Sequence, residues 1–344
     1  MSFKNGLIDL RSDTVTHPTD AMRAAMANAE VGDDVFGDDQ TVIELQEMAA
    51  DLLGYEDALF VASGTMGNLV ALLTHCERGS EVIAGGRSHI FLHEVGGMAG
   101  LGGIQANKIP NQSDGTLLLE DIVGAIREDD VHHPRTRLVC LENTQNSCGG
   151  VALTTEYTGR VAELAHSRGL KLHLDGARLA NAAVAQGIPM KALTKGVDST
   201  MLCLSKGLCV PIGSILCGSK EFIAEARRNR KQVGGGMRQV GVLAAAGIVA
   251  LKTEIDRLEE DHANARRLAE GLRGIPGIVL ETEKPQTNMV YFRIAPASKV
   301  TATVMMEEMK RRGILADLRL VTHHWITTND VEKVIGAFRE VMVR

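Results

Sequence analysis

Two charged residues close to the ends of apolar segments are the first candidates for chemistry in this sequence. Asp175 follows the run Lys171–Leu174 and opens the motif D-G-A-R, and Lys206 follows the apolar run Met201–Leu204 in the motif S-K-G. Such runs predict buried parallel strands, and open α/β sheets bind ligands beyond the carboxyl ends of their strands. An acid and an amine at that edge suit pyridoxal phosphate. The lysine forms its Schiff base, and the carboxylate keeps the pyridinium nitrogen protonated.

Each of these two residues also has an ordinary structural explanation. Asp175 alone could cap a helix, and Lys206 alone could be a solvated loop lysine. Their occurrence on consecutive strand ends makes that double coincidence the weaker explanation.

Two further motifs fall at predicted strand ends. Ser63–Asn68 reads S-G-T-M-G-N, in which Gly64, Thr65 and the N–H groups of a following helix could hold a phosphate. His89, in R-S-H-I-F, offers an imidazole that could lie on a pyridine ring or take up a proton. Taken singly, a glycine turn and a lone histidine are more often structural, so both depend on sharing an edge with Asp175 and Lys206.

Three residues are candidates for binding a carboxylate. Arg178 and Arg319 are arginines at predicted strand ends, and Ser12 lies in the polar N-terminal motif R-S-D-T-V-T. A helix cap explains Ser12 equally well, and a surface ion pair is the better explanation for Arg319 alone.

The elements that must position these residues alternate between strand and helix. Thr41–Leu53 has the apolar spacing of an amphipathic helix, and Gly54 stops it. We predict strands at 58–62, 81–84, 104–109, 138–141, 171–174, 200–204 and 214–217, and helices at 69–73, 117–127 and 155–168. The fold class is therefore α/β, with a mostly parallel sheet covered by helices on both faces.

The pattern changes to α+β near residue 238. A long helical region is predicted at Val240–Leu272, followed by strands at 288–294 and 318–322 and helices at 301–312 and 328–342. We predict an N-terminal arm at 1–15, a large domain at 16–245 that holds the cofactor, and a small C-terminal domain at 246–344.

Composition restricts the partners. The chain has 344 residues, 44% of them hydrophobic and 23% charged, with a net charge of −6, which argues against nucleic acid as a partner. Its six cysteines include no C-x-x-C pair, so we expect reduced buried thiols and no metal site. Without a visible signal peptide or an apolar stretch long enough to cross a bilayer, we expect a cytoplasmic protein that binds no membrane.

Taken together, the motifs resemble the L-threonine aldolase family of fold-type I pyridoxal-phosphate enzymes. The resemblance covers nearly the whole chain, in the motifs D-L-R-S-D-T-V-T, V-G-D-D-V-F-G-D-D, L-F-V-A-S-G-T-M-G-N, S-H-I-F-L-H-E-V-G-G, L-E-N-T-Q-N, H-L-D-G-A-R, C-L-S-K-G-L-C-V-P-I-G-S, G-G-G-M-R-Q-V-G-V-L-A-A-A-G and R-L-V-T-H. It implies retro-aldol cleavage of threonine or allo-threonine to glycine and acetaldehyde, with pyridoxal 5′-phosphate as cofactor.

The resemblance also implies residue roles. Around the cofactor it implies Lys206 as the Schiff-base lysine, Asp175 as the pyridinium partner, His89 as the ring-stacking histidine, and Gly64 and Thr65 at the phosphate. Around the substrate it implies Ser12, Arg178 and Arg319 at the carboxylate, with Arg178 also against the cofactor, and His132 near the hydroxyl. Lys231 and Arg238 match residues that reach a neighbouring subunit's cofactor, so a homodimer or homotetramer with shared sites is expected.

Two positions depart from the family pattern. Gln145 stands in L-E-N-T-Q-N where the family commonly has histidine, and the segment from Gly313 to Arg319 is several residues shorter than usual. Two other functions are compatible with the same motifs. One is β-elimination or transamination with the same cofactor, and the other is a non-catalytic protein on this fold. The retained lysine, acid, histidine and arginines argue against the second.

Overall fold

A computed structural model describes residues 6–343, so residues 1–5 of the predicted N-terminal arm lie outside it. The helices of the described chain are α1 Asp20–Ala27, α2 Gln40–Leu53, α3 Gly64–His75, α4 His89–Leu92, α5 Gly97–Gly100, α6 Leu119–Ala125, α7 Thr155–Ser167, α8 Leu179–Gln186, α9 Met190–Leu193, α10 Lys220–Gln232, α11 Gly241–Thr253, α12 Leu258–Leu272, α13 Ala302–Arg311 and α14 Thr328–Met342. The strands are β1 Ile8–Asp9, β2 Asp57–Val61, β3 Glu81–Gly85, β4 Gln105–Ile109, β5 Thr136–Glu142, β6 Lys171–Asp175, β7 Ser199–Cys203, β8 Ser214–Gly218, β9 Ile278–Leu280, β10 Met289–Ile294, β11 Ile314–Leu315 and β12 Arg319–Val321.

Seven strands form the main sheet in the order β2-β8-β7-β6-β5-β3-β4. The strands from β4 to β7 pair in parallel, whereas β8 is antiparallel to both β7 and β2. The carboxyl ends of β2, β3, β5, β6 and β7 therefore meet at one edge. This confirms the predicted mostly parallel α/β sheet and defines the edge at which the candidate residues should gather.

Local signals in the sequence explain where the elements begin and end. In α2, the side chain of Asp39 accepts the N–H of Val42, and Gly54 ends the helix in the left-handed conformation at φ 73°. In β5, every residue except Arg137 is buried, as expected for a strand covered on both faces.

Two regions differ from the prediction. The motif S-G-T-M-G-N is not a loop, because α3 begins at Gly64 and its first turn is capped by Ser63. The predicted helix 240–272 is two helices, separated at Glu254–Arg257. No proline or glycine marks this break. At it, Glu254 accepts hydrogen bonds from Arg257 Nε at 3.2 Å and pairs with His324 Nδ1 at 2.9 Å, so contacts distant in sequence accompany the interruption.

A second apolar core lies in the C-terminal region, where β9, β10 and β12 form an antiparallel sheet. The N-terminal strand β1 pairs in parallel with β11, and Ile8 and Leu10 are buried in this second core. The proposed division at residues 15 and 245 stays a prediction. Within residues 6–343, no helix is long and apolar enough to cross a membrane.

An acidic loop, residues 32–39, is fastened to the end of α10 and the start of α11. Asp34 accepts a hydrogen bond from Arg230 Nη2 at 2.6 Å, and these side chains are 3% and 2% exposed. Arg230 Nη1 also donates to the carbonyl of Phe60 at 2.8 Å. Asp39 accepts the N–H of Gly241 at 2.8 Å. Asp34 and Asp39 of the motif V-G-D-D-V-F-G-D-D therefore have structural roles.

We expect Asp34→Asn to lower the free energy of unfolding by about 3–5 kcal/mol, because it leaves the buried cation of Arg230 without its anion. Urea denaturation followed by circular dichroism measures the change. The control is Glu44→Gln, which breaks the exposed pair with Lys252 (3.2 Å) and should cost less than about 1 kcal/mol. Equal effects of the two substitutions would contradict the importance of the buried pair.

Candidate active site

The carboxyl edge of the main sheet brings several of the predicted residues together. Asp175 is the last residue of β6 and lies opposite Glu142, the last residue of β5, and Met201 of β7. Lys206 follows β7 by three residues, and His89 begins α4 just after β3. Strand register therefore explains why residues up to 117 positions apart in the chain share one site.

Asp175 is buried and held by two donors. Its Oδ2 accepts Asn68 Nδ2 at 2.9 Å, and its Oδ1 accepts the N–H of Ala177 at 3.1 Å. Asn68 also donates to Glu94 Oε1 at 2.8 Å, so one amide bridges two buried carboxylates. Each oxygen of Asp175 keeps a lone pair for a further donor.

His89 is anchored through both its backbone and its ring. Its N–H donates to Glu142 Oε2 at 2.7 Å, and its Nδ1 lies 3.0 Å from Glu94 Oε1. The hydrogen bond to Glu94 raises the pKa of His89, whereas burial raises the pKa of Glu94. The ring is about one-third exposed, and no described residue bonds to its Nε2.

Glu142 is a third buried carboxylate at this edge. Burial, followed by the charge of Asp175, raises its pKa to about 7. Its Oε1 accepts the N–H of Asn146 at 3.0 Å, and Gln145 Nε2 lies 3.3 Å from its Oε2. Gln145 also accepts the N–H of Cys148, so the amide that departs from the family pattern orders this loop.

Lys206 presents an uncommitted amine. Its carbonyl accepts the hydroxyl of Thr16 at 2.8 Å, but within residues 6–343 its amine makes no hydrogen bond or ion pair. Its charge nonetheless contributes to the lowered pKa of Asp13 and opposes the raised pKa of His89, so the amine lies within electrostatic range of both side chains.

Arg178 forms an ion pair with Asp13, a residue that the sequence analysis did not identify as a candidate. Its Nε and Nη2 donate to Asp13 at 2.7 and 2.6 Å, and both side chains are buried. Although burial opposes both charges, Arg178 holds the pKa of Asp13 well below its usual range, and Asp13 raises the pKa of Arg178. Asn288 also donates to Asp13, at 3.3 Å.

Ser12 and Arg319 are the two other residues predicted to bind a substrate carboxylate. The side chain of Ser12 caps the short 3-10 helix Asp13–Val15 by accepting the N–H of Thr14 at 3.2 Å, so Ser12 does act as a helix cap. Arg319 begins β12 and donates to Asn146 Oδ1 at 2.8 Å and to the carbonyl of Arg11 at 3.1 Å. No carboxylate in the described chain forms an ion pair with Arg319.

The first turn of α3 offers several hydrogen-bond donors. Ser63 accepts the N–H of Met66, whereas the N–H groups of Gly64 and Thr65 and the hydroxyl of Thr65 have no partner among residues 6–343. Gly64 is also required by packing, because a Cβ there would lie 2.7 Å from Cys203 Sγ.

Three of the predicted site residues, His132, Arg238 and Lys231, do not lie with the others at the carboxyl edge of the sheet in the same chain. His132 is exposed, bonds to Asp130 at 2.6 Å, and precedes β5. It therefore lies at the opposite edge, roughly 20 Å of strand from Glu142. Arg238 is exposed and pairs with Asp33 at 3.0 Å, and the exposed Lys231 passes over Gly236.

Metal binding has two geometric candidates in the described chain. The donor atoms of His89, Glu94 and Asp175 lie within 4.8 Å of one another, as do those of Cys209, Glu254 and His324. Asn68 and His89 already hold the first set together by hydrogen bonds. In the second, the cation of Arg257 donates to the same oxygen of Glu254 that His324 contacts.

Sequence reasoning missed the residues that support the catalytic candidates. Glu142 ends an apolar run as Asp175 does, so the same signal could have identified it. Asn68 is a polar residue on the buried side of an apolar helix, and Asp13 lies beside Ser12. Their roles depend on contacts between distant segments, which the local pattern does not contain.

Known proteins similar to this chain identify its family. A family model described as Beta-eliminating lyase matches residues 9–295. The chain is 49% identical over 343 residues to a probable low-specificity L-threonine aldolase 2 of Arabidopsis thaliana, covering 97% of each. It is 47% identical over 342 residues to the low specificity L-threonine aldolase of Escherichia coli K12, covering 98% of this chain and all of that one.

Solved structures share the fold. A threonine aldolase from Leishmania major superposes with a TM-score of 0.83 at 22% identity, covering 97% of this chain and 99% of that one. A serine palmitoyltransferase from S. paucimobilis, solved with a bound PLP–myriocin aldimine, gives a TM-score of 0.75 at 19% identity, covering 97% and 87%. With relatives so similar over their full length, this chain belongs to the low-specificity L-threonine aldolase family.

Proposed function

We propose that this protein cleaves L-threonine and L-allo-threonine to glycine and acetaldehyde, with pyridoxal 5′-phosphate as its cofactor. Family membership supports the reaction. The observation that carries the proposal is the amine of Lys206, which has no hydrogen-bond or ion-pair partner among residues 6–343 and lies at the same sheet edge as the buried carboxylate of Asp175.

The donor set fits this cofactor at each of its polar groups. The amine of Lys206 is available to hold the aldehyde carbon, and Asp175 has acceptor capacity left for the ring nitrogen. The free N–H groups of Gly64 and Thr65, at the positive end of α3, suit the phosphate. The ring of His89, about one-third exposed, supplies a flat surface for the pyridine ring.

When bound, the cofactor supplies an electron sink for the pair released as the Cα–Cβ bond breaks. Asp175 keeps the ring nitrogen protonated. His89, whose Nδ1 is taken by Glu94, has Nε2 left to accept the β-hydroxyl proton directly or through a water. His132 lies at the other sheet edge and can act here only from a neighbouring chain.

We assign the substrate carboxylate to Arg319, together with Ser12. Arg319 is a cation that pairs with no carboxylate among residues 6–343, and Asn146 and the carbonyl of Arg11 position it. Arg178 uses Nε and Nη2 on Asp13, so it has Nη1 left for a substrate or cofactor oxygen. Holding the carboxylate in one place would fix the orientation of the substrate at Cα and so decide which of its bonds is broken.

We further propose a homodimer or homotetramer in which Lys231, Arg238 and His132 act at a neighbouring chain's site. The loop that carries His89 and Glu94 exposes apolar side chains, among them Leu92, Val95 and Leu101. Val95 is a fully exposed β-branched residue at φ 55°, a conformation that such residues rarely adopt. A partner surface over this loop would explain both features.

The reaction is tested by incubating the purified protein and pyridoxal phosphate with each threonine isomer. We expect equal amounts of glycine and acetaldehyde, measured by chromatography and by alcohol dehydrogenase coupling. Ammonia with a keto acid would instead indicate β-elimination, and amino transfer to an added keto acid would indicate transamination.

We expect Lys206→Ala to lose the visible absorption of the lysine-bound cofactor and nearly all cleavage. The cofactor should remain only as a dialysable ligand. Lys195→Ala, at an exposed lysine before β7, is the control and should retain both properties. Normal absorption and turnover in Lys206→Ala would remove the residue from the site.

Arg319→Leu should raise the KM for threonine about ten- to a hundredfold, the loss expected for charge-assisted hydrogen bonds. Threonine amide, which lacks the carboxylate, should be affected much less. Arg293→Leu is the matched control, since Arg293 is an exposed arginine on β10 of the same small sheet. Equal losses on threonine and its amide would show that Arg319 acts through structure alone.

A further inference from the structure

A series of buried polar side chains, joined by hydrogen bonds, extends from Asp175 into the interior. Behind Asn68, His173 Nε2 lies 3.1 Å from Asn68 Oδ1, and His173 Nδ1 lies 2.8 Å from Ser199 Oγ. Ser199 Oγ in turn lies 2.8 Å from His75 Nε2. Asn68, His173 and Ser199 are fully buried, so no solvent competes for these contacts. The reaction assigned above uses none of the groups beyond Asp175.

In this series of hydrogen-bonded side chains, the donor and the acceptor of each contact can be assigned. Both N–H groups of Asn68 are used on Glu94 and Asp175, so its Oδ1 accepts and His173 Nε2 must carry the proton. Burial lowers the pKa of His173 to about 4, so its ring is neutral and Nδ1 accepts the hydroxyl proton of Ser199. Ser199 Oγ then accepts from His75 Nε2.

This direction matters because Glu94 and Asp175 are close together and buried. If the amide of Asn68 turned round, its oxygen would face both carboxylates, and the two acids would be stabilised by sharing a proton. A shared proton would cost Asp175 the negative charge that a protonated ring nitrogen requires. The donor at His173 Nε2 opposes that rotation.

We infer that His173 and Asn68 are positioning residues, which hold Asp175 as an ionised acceptor aimed at the ring nitrogen of the cofactor. The inference rests on the proposed function, because it assumes that Asp175 meets this nitrogen. Ser199 contributes by holding His173 in the tautomer that donates to Asn68.

The test compares two ligands in absorbance titrations of the apo protein: pyridoxal 5′-phosphate and its 1-deaza analogue, in which carbon replaces the ring nitrogen. His173→Leu should raise the dissociation constant for pyridoxal phosphate about tenfold or more, while the constant for the analogue changes less than about threefold. Ser199→Ala should show the same selectivity with a smaller effect. Because it deletes a single hydroxyl, Ser199→Ala keeps the test available if His173→Leu does not fold.

Two further variants separate positioning from general support of the fold. His173→Gln can donate from its amide to Asn68 and should restore most of the affinity for pyridoxal phosphate. His262→Leu removes another fully buried histidine, bonded to Asn181 at 3.1 Å on α8, and should affect both ligands equally. In the wild type, ¹⁵N NMR of labelled histidines should show the proton of His173 on Nε2.

Asp175→Asn, titrated in parallel, separates the two hypotheses. If it weakens both ligands equally, the assignment of Asp175 in the proposed function is wrong. Asp175→Asn could instead weaken the binding of pyridoxal phosphate alone. If His173→Leu and Ser199→Ala then weaken the binding of both ligands equally, or of neither ligand, the positioning role of His173 and Asn68 is wrong and the proposed function stands. A proton on Nδ1 of His173 would also overturn the inference.

Discussion

Three buried carboxylates at one edge of a sheet are the constraint around which this site is built. Glu94, Glu142 and Asp175 lie close enough that the charge of Asp175 raises the pKa of the other two after burial. Within the described chain, His89 bonds to Glu94 through its Nδ1, and the charge of Lys206 acts on His89. Such a cluster is stabilised by a further positive charge, and a protonated pyridine ring supplies one. The acids thus make the site selective for a ring that carries a proton.

The N-terminal segment connects this acid cluster to the substrate side. Asp13 is buried with Arg178, Thr16 bonds to the carbonyl of Lys206, and the carbonyl of Arg11 accepts from Arg319. One short segment therefore touches the loops after β6 and β7 and the start of β12. Because β1 also pairs with β11 in the second core, this segment joins the two apolar cores of the protein at the site.

The sequence predicted the parts of this structure that local patterns encode. The predicted strand segments overlap every strand of the main sheet, and the acid and the lysine that follow two of the apolar runs located the edge. It did not predict the break at Glu254–Arg257, which involves His324 some 70 residues away, or the pairing of Arg178 with Asp13. Both depend on contacts between distant segments. The same reason hid Asn68 and His173, whose polarity has meaning only beside Asp175.

The role of the three buried acids can be tested through the protonation state of the bound cofactor. Pyridoxal 5′-phosphate labelled with ¹⁵N in its ring can be bound to the wild-type protein and followed by NMR across the pH range in which the fold is stable. If the buried acids hold a cationic ring, the ring-nitrogen resonance should stay at the protonated position throughout and be coupled to one hydrogen. A resonance at the unprotonated position at neutral pH would contradict the claim that the buried acids exist to hold a cationic ring.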